Sequence, residues 1–464
     1  MAAFAKIKRK IHFIGIGGIG TSALARWFLS HNFEISGSDI AYSPLIKELK
    51  EQGIKIFIGH QANNVPKDVK SVVYSEAIGQ NNPEIRRGRK LRIPVKSSAE
   101  ILGELTKKYK TIAVAGAHGK GTTTAFLSLI LIKAGFDPSV IIGTKLKQFN
   151  PPAGGSNFRN GKSEYLILEA DEYQKKLLNY SPYAAIITNI DREHLDCYKN
   201  LADIKNTFLK FIGNIQRNGI LVINKDDKNL FNLKNRIQKI AKKNNLRLHW
   251  YGIEHKLEKF LKIPGQHIIS DASAAYTLAK ELGIKDRDIF QAIGVYRGAW
   301  RRMEYRGKFH IPHSKFQIPV YDDYAHHPTE IRATLSGIAQ KWPKTALICV
   351  FQPHQAKRLA MLFEEFKTAF FDANYLILLD IYKVAGRDKV SQNVNSEKLF
   401  KAIKQELFQN KKHRLNEVVY LPYSKQNELS KILKNIIMNS KFNSYIIIMM
   451  GAGDIYKLTD KLVK

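Results

Sequence analysis

The chain has 464 residues, and with about 100–200 residues to an ordinary domain a single core is excluded and three domains are expected. Its composition, 44% hydrophobic and 25% charged, is that of a globular protein, and no apolar run approaches the roughly 18 residues of a membrane span. The formal charge of +33 favours anionic ligands, but the lysines are spread along the whole chain without a nucleic-acid module, so it reads as compositional bias and no specific nucleic-acid partner is expected.

The opening Met-Ala-Ala-Phe-Ala-Lys-Ile-Lys-Arg-Lys lacks the apolar core and cleavage site of an export signal, so a cytoplasmic protein is expected. A strand is expected at Ile11–Ile16, a helix from about Thr21, strands at Glu34–Asp39, Ile54–Ile58 and Val72–Ser75, and a helix over Ser98–Lys108. Strands recurring with intervening helices predict a parallel, doubly wound sheet. Gly15-Ile-Gly17-Gly18-Ile-Gly20 follows the first strand and Asp39 ends the second, as in a dinucleotide-binding fingerprint. Such a loop lets a diphosphate approach a helix start, whether NAD or a UDP-sugar carries it, so it leaves the chemistry open.

A second α/β unit begins at Thr111–Ala115 and runs into Gly116-Ala117-His118-Gly119-Lys120-Gly121-Thr122-Thr123-Thr124. Here backbone N–H groups converge on phosphate oxygens and Lys120 neutralises their charge, the pattern of a nucleoside-triphosphate site, although the spacing is shorter than G-x-x-x-x-G-K-[ST]. Strands are expected at Tyr165–Glu169, Ala184–Asn189 and Gly219–Ile223, with an exposed basic helix over Lys234–Asn245 and helices at Ser270–Gly283 and Arg287–Tyr296. Glu169-Ala-Asp171-Glu172 places three carboxylates at one strand end, where a metal on a triphosphate needs oxygen ligands. Asn189-Ile-Asp191-Arg-Glu-His194-Leu-Asp196 places a polar cluster at another, so Glu169 and His194 are candidates to share a metal or phosphate. Cys197 and Cys349 are too few for a disulfide framework or a cysteine metal cluster.

Trp300-Arg301-Arg302-Met-Glu304 sets two guanidinium groups at an expected domain junction, suited to a transferring phosphoryl group. A third unit carries strands at Pro319–Asp322, Ala346–Phe351, Tyr375–Asp380 and Tyr445–Met450. Asp322-Asp323-Tyr324-Ala325-His326-His327-Pro328-Thr329-Glu330 follows its first strand and Gln352-Pro-His354 with Arg358 its second. These groups suit a second substrate and its carboxylate, with helix capping as the competing role for His327 or His354.

In this order the segments resemble the Mur ligases over nearly the whole chain. The resemblance rests on Gly15–Gly20, Ser36-Gly-Ser38-Asp39, Tyr74-Ser-Glu-Ala-Ile78, Gly116–Lys120, Glu169–Glu172 and Thr188–Asp196, then on Trp300–Glu304, Asp322–Glu330, Gln352–His354, Asp380-Ile-Tyr382 and Gly451-Ala-Gly-Asp454. It implies an α/β chain of three domains: a Rossmann-like UDP-sugar domain over 1–106, a central P-loop ATPase domain over 107–307, and a Rossmann-like domain over 308–464 that binds the amino acid. The implied activity, nearest to the members that use L-alanine, phosphorylates the lactyl carboxylate of UDP-N-acetylmuramic acid with ATP and Mg2+. L-alanine then attacks the acyl phosphate, in peptidoglycan precursor synthesis.

By the resemblance, Gly15, Gly17, Gly18, Gly20, Ser38 and Asp39 hold the UDP-sugar and Gly116, Ala117, His118, Gly119, Lys120, Gly121 and Thr122 hold ATP. Thr122, Glu169 and His194 hold magnesium; Lys120, Glu169, His194, Arg301, Arg302 and His326 are catalytic; Tyr324, His326, His354 and Arg358 meet the amino acid and the sugar-linked carboxylate. Two departures stand out. Gly121 replaces the threonine or serine that reaches magnesium, leaving Thr122 to take that role, and His267-Ile268-Ile-Ser-Asp271 replaces His-Asn-x-x-Asn at the adenine nucleotide. A ligase that recycles a preformed tripeptide and a silent UDP-sugar sensor stay open, as do a monomer and a homodimer; a dehydrogenase leaves Lys120 and Glu169 unexplained.

Overall fold

Short apolar runs alternating with helices build three sheets in the computed structural model, which describes residues 9–149, 155–194, 197–314, 316–382, 394–410 and 412–463. In the first, β1 (Lys10–Ile14), β2 (Glu34–Asp39), β3 (Lys55–Ile58), β4 (Ser71–Tyr74) and β5 (Val95–Ser97) are all parallel, in the order β3-β2-β1-β4-β5. The strand order reverses at β1, so the crevice of this doubly wound sheet opens at the end of β1, where Gly15 follows. The helix Ser98–Thr106 starts at a capping box: Ser97 Oγ accepts from Glu100 N at 3.2 Å and Glu100 Oε2 accepts from Ser97 N at 2.6 Å.

The second sheet holds β6 (Lys110–Ala115), β7 (Ser139–Leu146), β8 (Ser156–Arg159), β9 (Tyr165–Ala170), β10 (Ala184–Ile187), β11 (Ile220–Asn224) and β12 (Arg247–Tyr251), in the order β12-β11-β10-β6-β9-β7-β8 with only β8 antiparallel. Central β6 has β9 on one side and β10 on the other, so the loops leaving all three meet at one edge. The third sheet, β13 (Glu304–His310), β14 (Gln317–Asp323), β15 (Ala346–Phe351), β16 (Tyr375–Leu379), β17 (Glu417–Leu421) and β18 (Tyr445–Met450), has the order β13-β14-β18-β15-β16-β17, with β13 antiparallel. Every residue of β15 and β18 is buried, as expected of strands covered on both faces.

The chain divides into two compact units. Residues through Phe260 with Ser270–Gly294 carry the first two sheets, and Leu261–Ile269 with the chain from Val295 carries the third. Strand β13 straddles residue 307, where the sequence reading ends its second domain. Among the described residues no helix is long and apolar enough to cross a membrane.

Within the first unit a polar seam joins the two sheets. Arg26, 5% exposed on the helix Ile19–Ser30, bonds Asn157 of β8, Glu48 at 3.0 Å and Gln52 at 3.1 Å. Asn157 Nδ2 in turn donates to Ile19 O at 2.6 Å and Ser22 Oγ at 2.8 Å, and Lys145 of β7 pairs with Glu48.

A second buried network centres on Glu84, in the first turn of the helix Pro83–Lys90. Its carboxylate accepts from Ser38 Oγ at 2.6 Å, Asn64 Nδ2 at 2.8 Å and Gln61 N at 3.1 Å, with His12 Nε2 at 3.1 Å and His60 Nδ1 at 3.5 Å. Burial pushes this carboxyl up, but the bonds from His12, His60, Ser38 and Asn64 outweigh it and hold Glu84 well below the usual carboxylate range. A depressed folded pKa gives stability that is complete above the unfolded value, about 4.3, and is lost as pH falls below it. Glu84→Gln is therefore expected to cost about 3 kcal/mol at pH 7, and urea unfolding followed by circular dichroism should show that deficit narrowing at pH 3.5.

Candidate active site

The glycine-rich loop after β1 is braced from β2. Gly15 N and Ile16 N donate to Ser38 O at 2.8 and 3.1 Å, and Gly17 N donates to Asp39 Oδ2 at 2.8 Å. A Cβ on Gly17 would stand 2.9 Å from that oxygen, so only glycine permits the approach. Gly18 caps the helix Ile19–Ser30, and Gly20 faces open space. Ser38, expected among the UDP-sugar contacts, is wholly buried, with its hydroxyl donating to Glu84 and His60 Nδ1 3.0 Å away. Its side chain belongs to the buried network, while its carbonyl is what braces the loop.

The loop after β6 passes through Gly119, left-handed at φ +82°, and enters the helix Lys120–Lys133, whose first N–H groups have no side-chain cap from Gly119. Lys120 Nζ donates to Gly116 O at 2.6 Å, Ala117 O at 3.2 Å and Glu172 Oε2 at 2.9 Å. From the end of β10, Asn189 Oδ1 accepts from His118 N at 2.8 Å while Asn189 Nδ2 and Thr188 Oγ1 donate to His118 O at 2.9 and 2.6 Å, and His118 Nε2 lies 3.0 Å from Asp191. Sequence reasoning named the segment Thr188–Asn189 without this clamp, which no spacing signals. Both departures have a physical account. Glu169 fills the space that a side chain at Gly121 would occupy, its Oε1 2.9 Å from a Cβ there, and Asp271 lies where a Cβ on Gly119 would collide while accepting from Thr123 Oγ1 at 3.2 Å.

His194, at φ +54°, places Nε2 3.3 Å from Glu172 Oε1 and 4.0 Å from Asp171 Oδ1. Asp171, Glu172 and His194 offer ligand atoms all within 4.8 Å of one another. The expected set Thr122, Glu169 and His194 is thus divided: His194 groups with Asp171 and Glu172, Glu169 lies at the helix start, and Thr122 is buried in the first helical turn. Leu195 and Asp196 lie outside the described residues. Burial pushes Lys120 down, yet Glu172, Asp171 and Glu169 raise it above its ordinary value. Burial likewise opposes the charged forms of His194 and Asp171; Glu172 and Asp171 nevertheless raise the imidazole, and Lys176, Lys120 and His194 hold Asp171 at about 2.

The following turn is strained. Gln174 and Lys175 are both left-handed, at φ +51° and +58°, a conformation costing non-glycine residues about 1–2 kcal/mol each. It carries Tyr173 to the His194 ring, centroids 5.0 Å apart, and Lys176 Nζ to 2.9 Å from Asp171 Oδ2.

In the second unit the loops at the ends of β14, β15 and β18 meet. Arg301 is buried: its guanidinium bonds Gly451 O, lies 3.5 Å from Ala452 O, and packs over the rings of Trp300, Tyr324 and Tyr456. It braces the fold, so of the two arginines read as catalytic only Arg302, 34% exposed and 3.4 Å from Glu330 Oε1, is presented outward. His326 Nδ1 donates to Tyr324 O at 3.0 Å, and its ring lies 6.1 Å from that of His354, which stacks on Tyr382 at 5.7 Å and meets Arg358 Nη1 at 3.3 Å. His327 caps the helix Pro328–Lys341, its Nδ1 accepting from Thr329 N at 3.3 Å. Burial pushes His267 down to about 4, with Glu330 opposing.

Residues 10–110, 114–279 and 301–453 match the models of, respectively, the Mur ligase family, catalytic domain; the Mur ligase middle domain; and the Mur ligase, glutamate ligase domain. The chain is 39% identical over 489 aligned residues to the UDP-N-acetylmuramate--L-alanine ligase of Clostridium botulinum, with 99% of each covered. The solved structure of UDP-N-acetylmuramate-alanine ligase MurC from Thermotoga maritima is similar at a TM-score of 0.75 and 26% identity, covering 98% of both chains. A murein peptide ligase from Psychrobacter arcticus, at TM-score 0.63 and 22% identity over 98% of both chains, shares the fold.

The geometry of the β6 loop generates a test. Gly119→Ala adds a side chain at φ +82° against Asp271, and is expected to cost at least about 2 kcal/mol in urea unfolding and to abolish triphosphate binding measured by calorimetry.

Proposed function

The chain belongs to the Mur ligase family, and from that premise we infer that it joins L-alanine to the lactyl carboxylate of UDP-N-acetylmuramic acid in an ATP-dependent ligation of peptidoglycan precursor synthesis. One observation carries the chemistry: Lys120 lies between the carbonyls of an anion-binding loop and Glu172, beside His194, at the edge where the β6, β9 and β10 loops meet. A carboxylate oxygen takes the γ-phosphoryl group and ADP leaves. The amine of L-alanine, after losing a proton, then attacks the acyl carbon and expels phosphate.

Each residue's role follows from its surroundings. Lys120 and the N–H groups of the helix start neutralise the negative oxygens of the triphosphate, and the Thr188–Asn189 clamp holds the loop shaped for them. The donor set fits a hard divalent cation, since Asp171, Glu172 and His194 converge and Glu169 faces the same helix start. Magnesium held there by Asp171, Glu172 and His194, with Glu169 facing it from the helix start, would supply charge neutralisation on the phosphates. The loop braced by Asp39 cradles the UDP diphosphate.

In the second unit Arg302 is assigned to the transferring phosphoryl group, and Arg358 with His354 to the amino-acid carboxylate. A carbonyl only accepts, so His326 carries a proton on Nδ1, which Glu330 Oε2 also faces at 3.3 Å, and the oriented ring is assigned to handling the proton of the incoming ammonium.

The test is phosphate release from ATP with UDP-N-acetylmuramic acid, magnesium and single amino acids. Release with L-alanine alone is expected; release only with a preformed tripeptide would overturn the acceptor. Lys120→Ala should abolish turnover while UDP-sugar affinity stays within about threefold, because the two loops are separate phosphate sites. The two arginines should separate cleanly. Arg302→Ala is expected to lower kcat about 100-fold at unchanged melting temperature, whereas Arg301→Ala should lower the melting temperature itself.

A further inference from the structure

Lys176 bridges two segments that adjoin the ligand loops of the first unit, one after β4 and one after β9. Its ammonium is 2.9 Å from Asp171 Oδ2, in the acidic cluster beside Lys120, and 3.8 Å from Glu76 Oε2. Glu76 follows β4, and the chain around it backs the glycine-rich loop: Ser75 N donates to Ile14 O at 2.9 Å, and a Cβ on Gly15 would stand 3.1 Å from Ser75 Cβ and 3.2 Å from Ile78. Glu76 itself is fixed by the helix Ser98–Thr106, accepting from Ala99 N at 2.7 Å and Ser98 Oγ at 2.8 Å. An unbroken series of polar contacts therefore runs from the backing of the sugar-nucleotide loop through Glu76, Lys176 and Asp171 to His194.

Four features argue that this placement is built. Two consecutive left-handed residues, Gln174 and Lys175, sit immediately before Lys176. Lys175 is tied down by Asp203 at 3.0 Å, and the ring of Tyr173, which also faces His194, lies 5.4 Å from the Lys176 ammonium. Only 21% of the Lys176 side chain is exposed. A direct contact with the lactyl carboxylate is disfavoured by charge: two carboxylates already face this single ammonium, and a third anion would be repelled by both.

Resting on the functional reading above, we propose that Lys176 is a positioning residue that couples the two pockets, so that the UDP-sugar and the magnesium nucleotide each bind tighter in the presence of the other. The Lys176 ammonium is shared between Glu76 and Asp171, so a ligand that draws on Asp171 in the acidic cluster changes the hold on Glu76 behind the glycine-rich loop, and a ligand in that loop acts back along the same contacts. Linkage makes the effect equal in both directions.

The experiment is calorimetric titration of the full chain with UDP-N-acetylmuramic acid, alone and saturated with a non-hydrolysable ATP analogue plus magnesium, then in the reverse order. The wild type is expected to show about fivefold or greater tightening, equal in both orders. Lys176→Met, which keeps the aliphatic stem and removes the charge, should bring that factor close to one while each single-ligand affinity stays within about threefold; Lys176→Arg should restore it. Glu76→Gln, which leaves the acidic cluster intact, should give the same loss. Undiminished coupling in Lys176→Met or Glu76→Gln, no coupling in the wild type, or loss of single-ligand binding in Lys176→Met would overturn the proposal. Failure of the wild type to bind UDP-N-acetylmuramic acid at all would overturn the functional reading, and the inference with it.

Discussion

A single ammonium organises this chain. Lys120 Nζ is held by two carbonyls of the loop that precedes it and by Glu172, a carboxylate only 2% exposed. Withdrawing both charges from water costs several kcal/mol per ion, and a well-packed apolar pair at the same place would be at least as stable, so the pair is not explained by stability. What it provides is a positive centre held in place by its own loop, and under the proposed function that is where developing phosphate charge settles without reorganisation. The position follows from topology. Parallel strands β10, β6 and β9 end side by side, so the phosphate loop, the three carboxylates and His194 must emerge at one edge.

The central strands were legible because burial on both faces demands continuous apolar runs: Ala346–Phe351 and Tyr445–Met450 appear with the boundaries expected of them. Strand β13 was not, since Glu-Tyr-Arg-Gly-Lys-Phe-His at a sheet edge, largely solvated, carries little apolar signal, and three-residue β5 is too short for any period to show. At the site, what could be read was chemistry that needs particular residue types in order, such as glycines and a lysine before a helix. What could not be read was direction. Ser38 and Asp39 are neighbours, yet one faces the Glu84 network and the other the glycine-rich loop. Arg301 and Arg302 are neighbours too, and the left-handed backbone at Arg301, φ +56°, accompanies a guanidinium turned inward. Lys176 owes its place to two left-handed residues that no glycine announces.

The departures from the family pattern turn out to be paired with neighbours. With no side chain at 121, Glu169 occupies the room at the start of the helix Lys120–Lys133, and a carboxylate oxygen stands close to where the missing hydroxyl would have been. Asp271 bonds Thr123 and fills the space that a side chain at Gly119 would need, so the carboxylate that replaces an asparagine stands directly behind the loop. Each change is local, and the clamp from Thr188 and Asn189 is untouched by either.

The seam around Arg26 bears on how the first two sheets relate as parts. Family models divide them near residue 110, but the guanidinium of the first sheet's helix finds its partner on β8, and Asn157 of β8 returns bonds to that same helix. Separated there, Arg26 would keep Glu48 and Gln52 but lose Asn157, and Asn157 would lose Arg26, Ile19 O and Ser22. Two modules that look interchangeable along the chain thus share a buried polar contact, which recombination between relatives keeps only where the helix Ile19–Ser30 and β8 are inherited together.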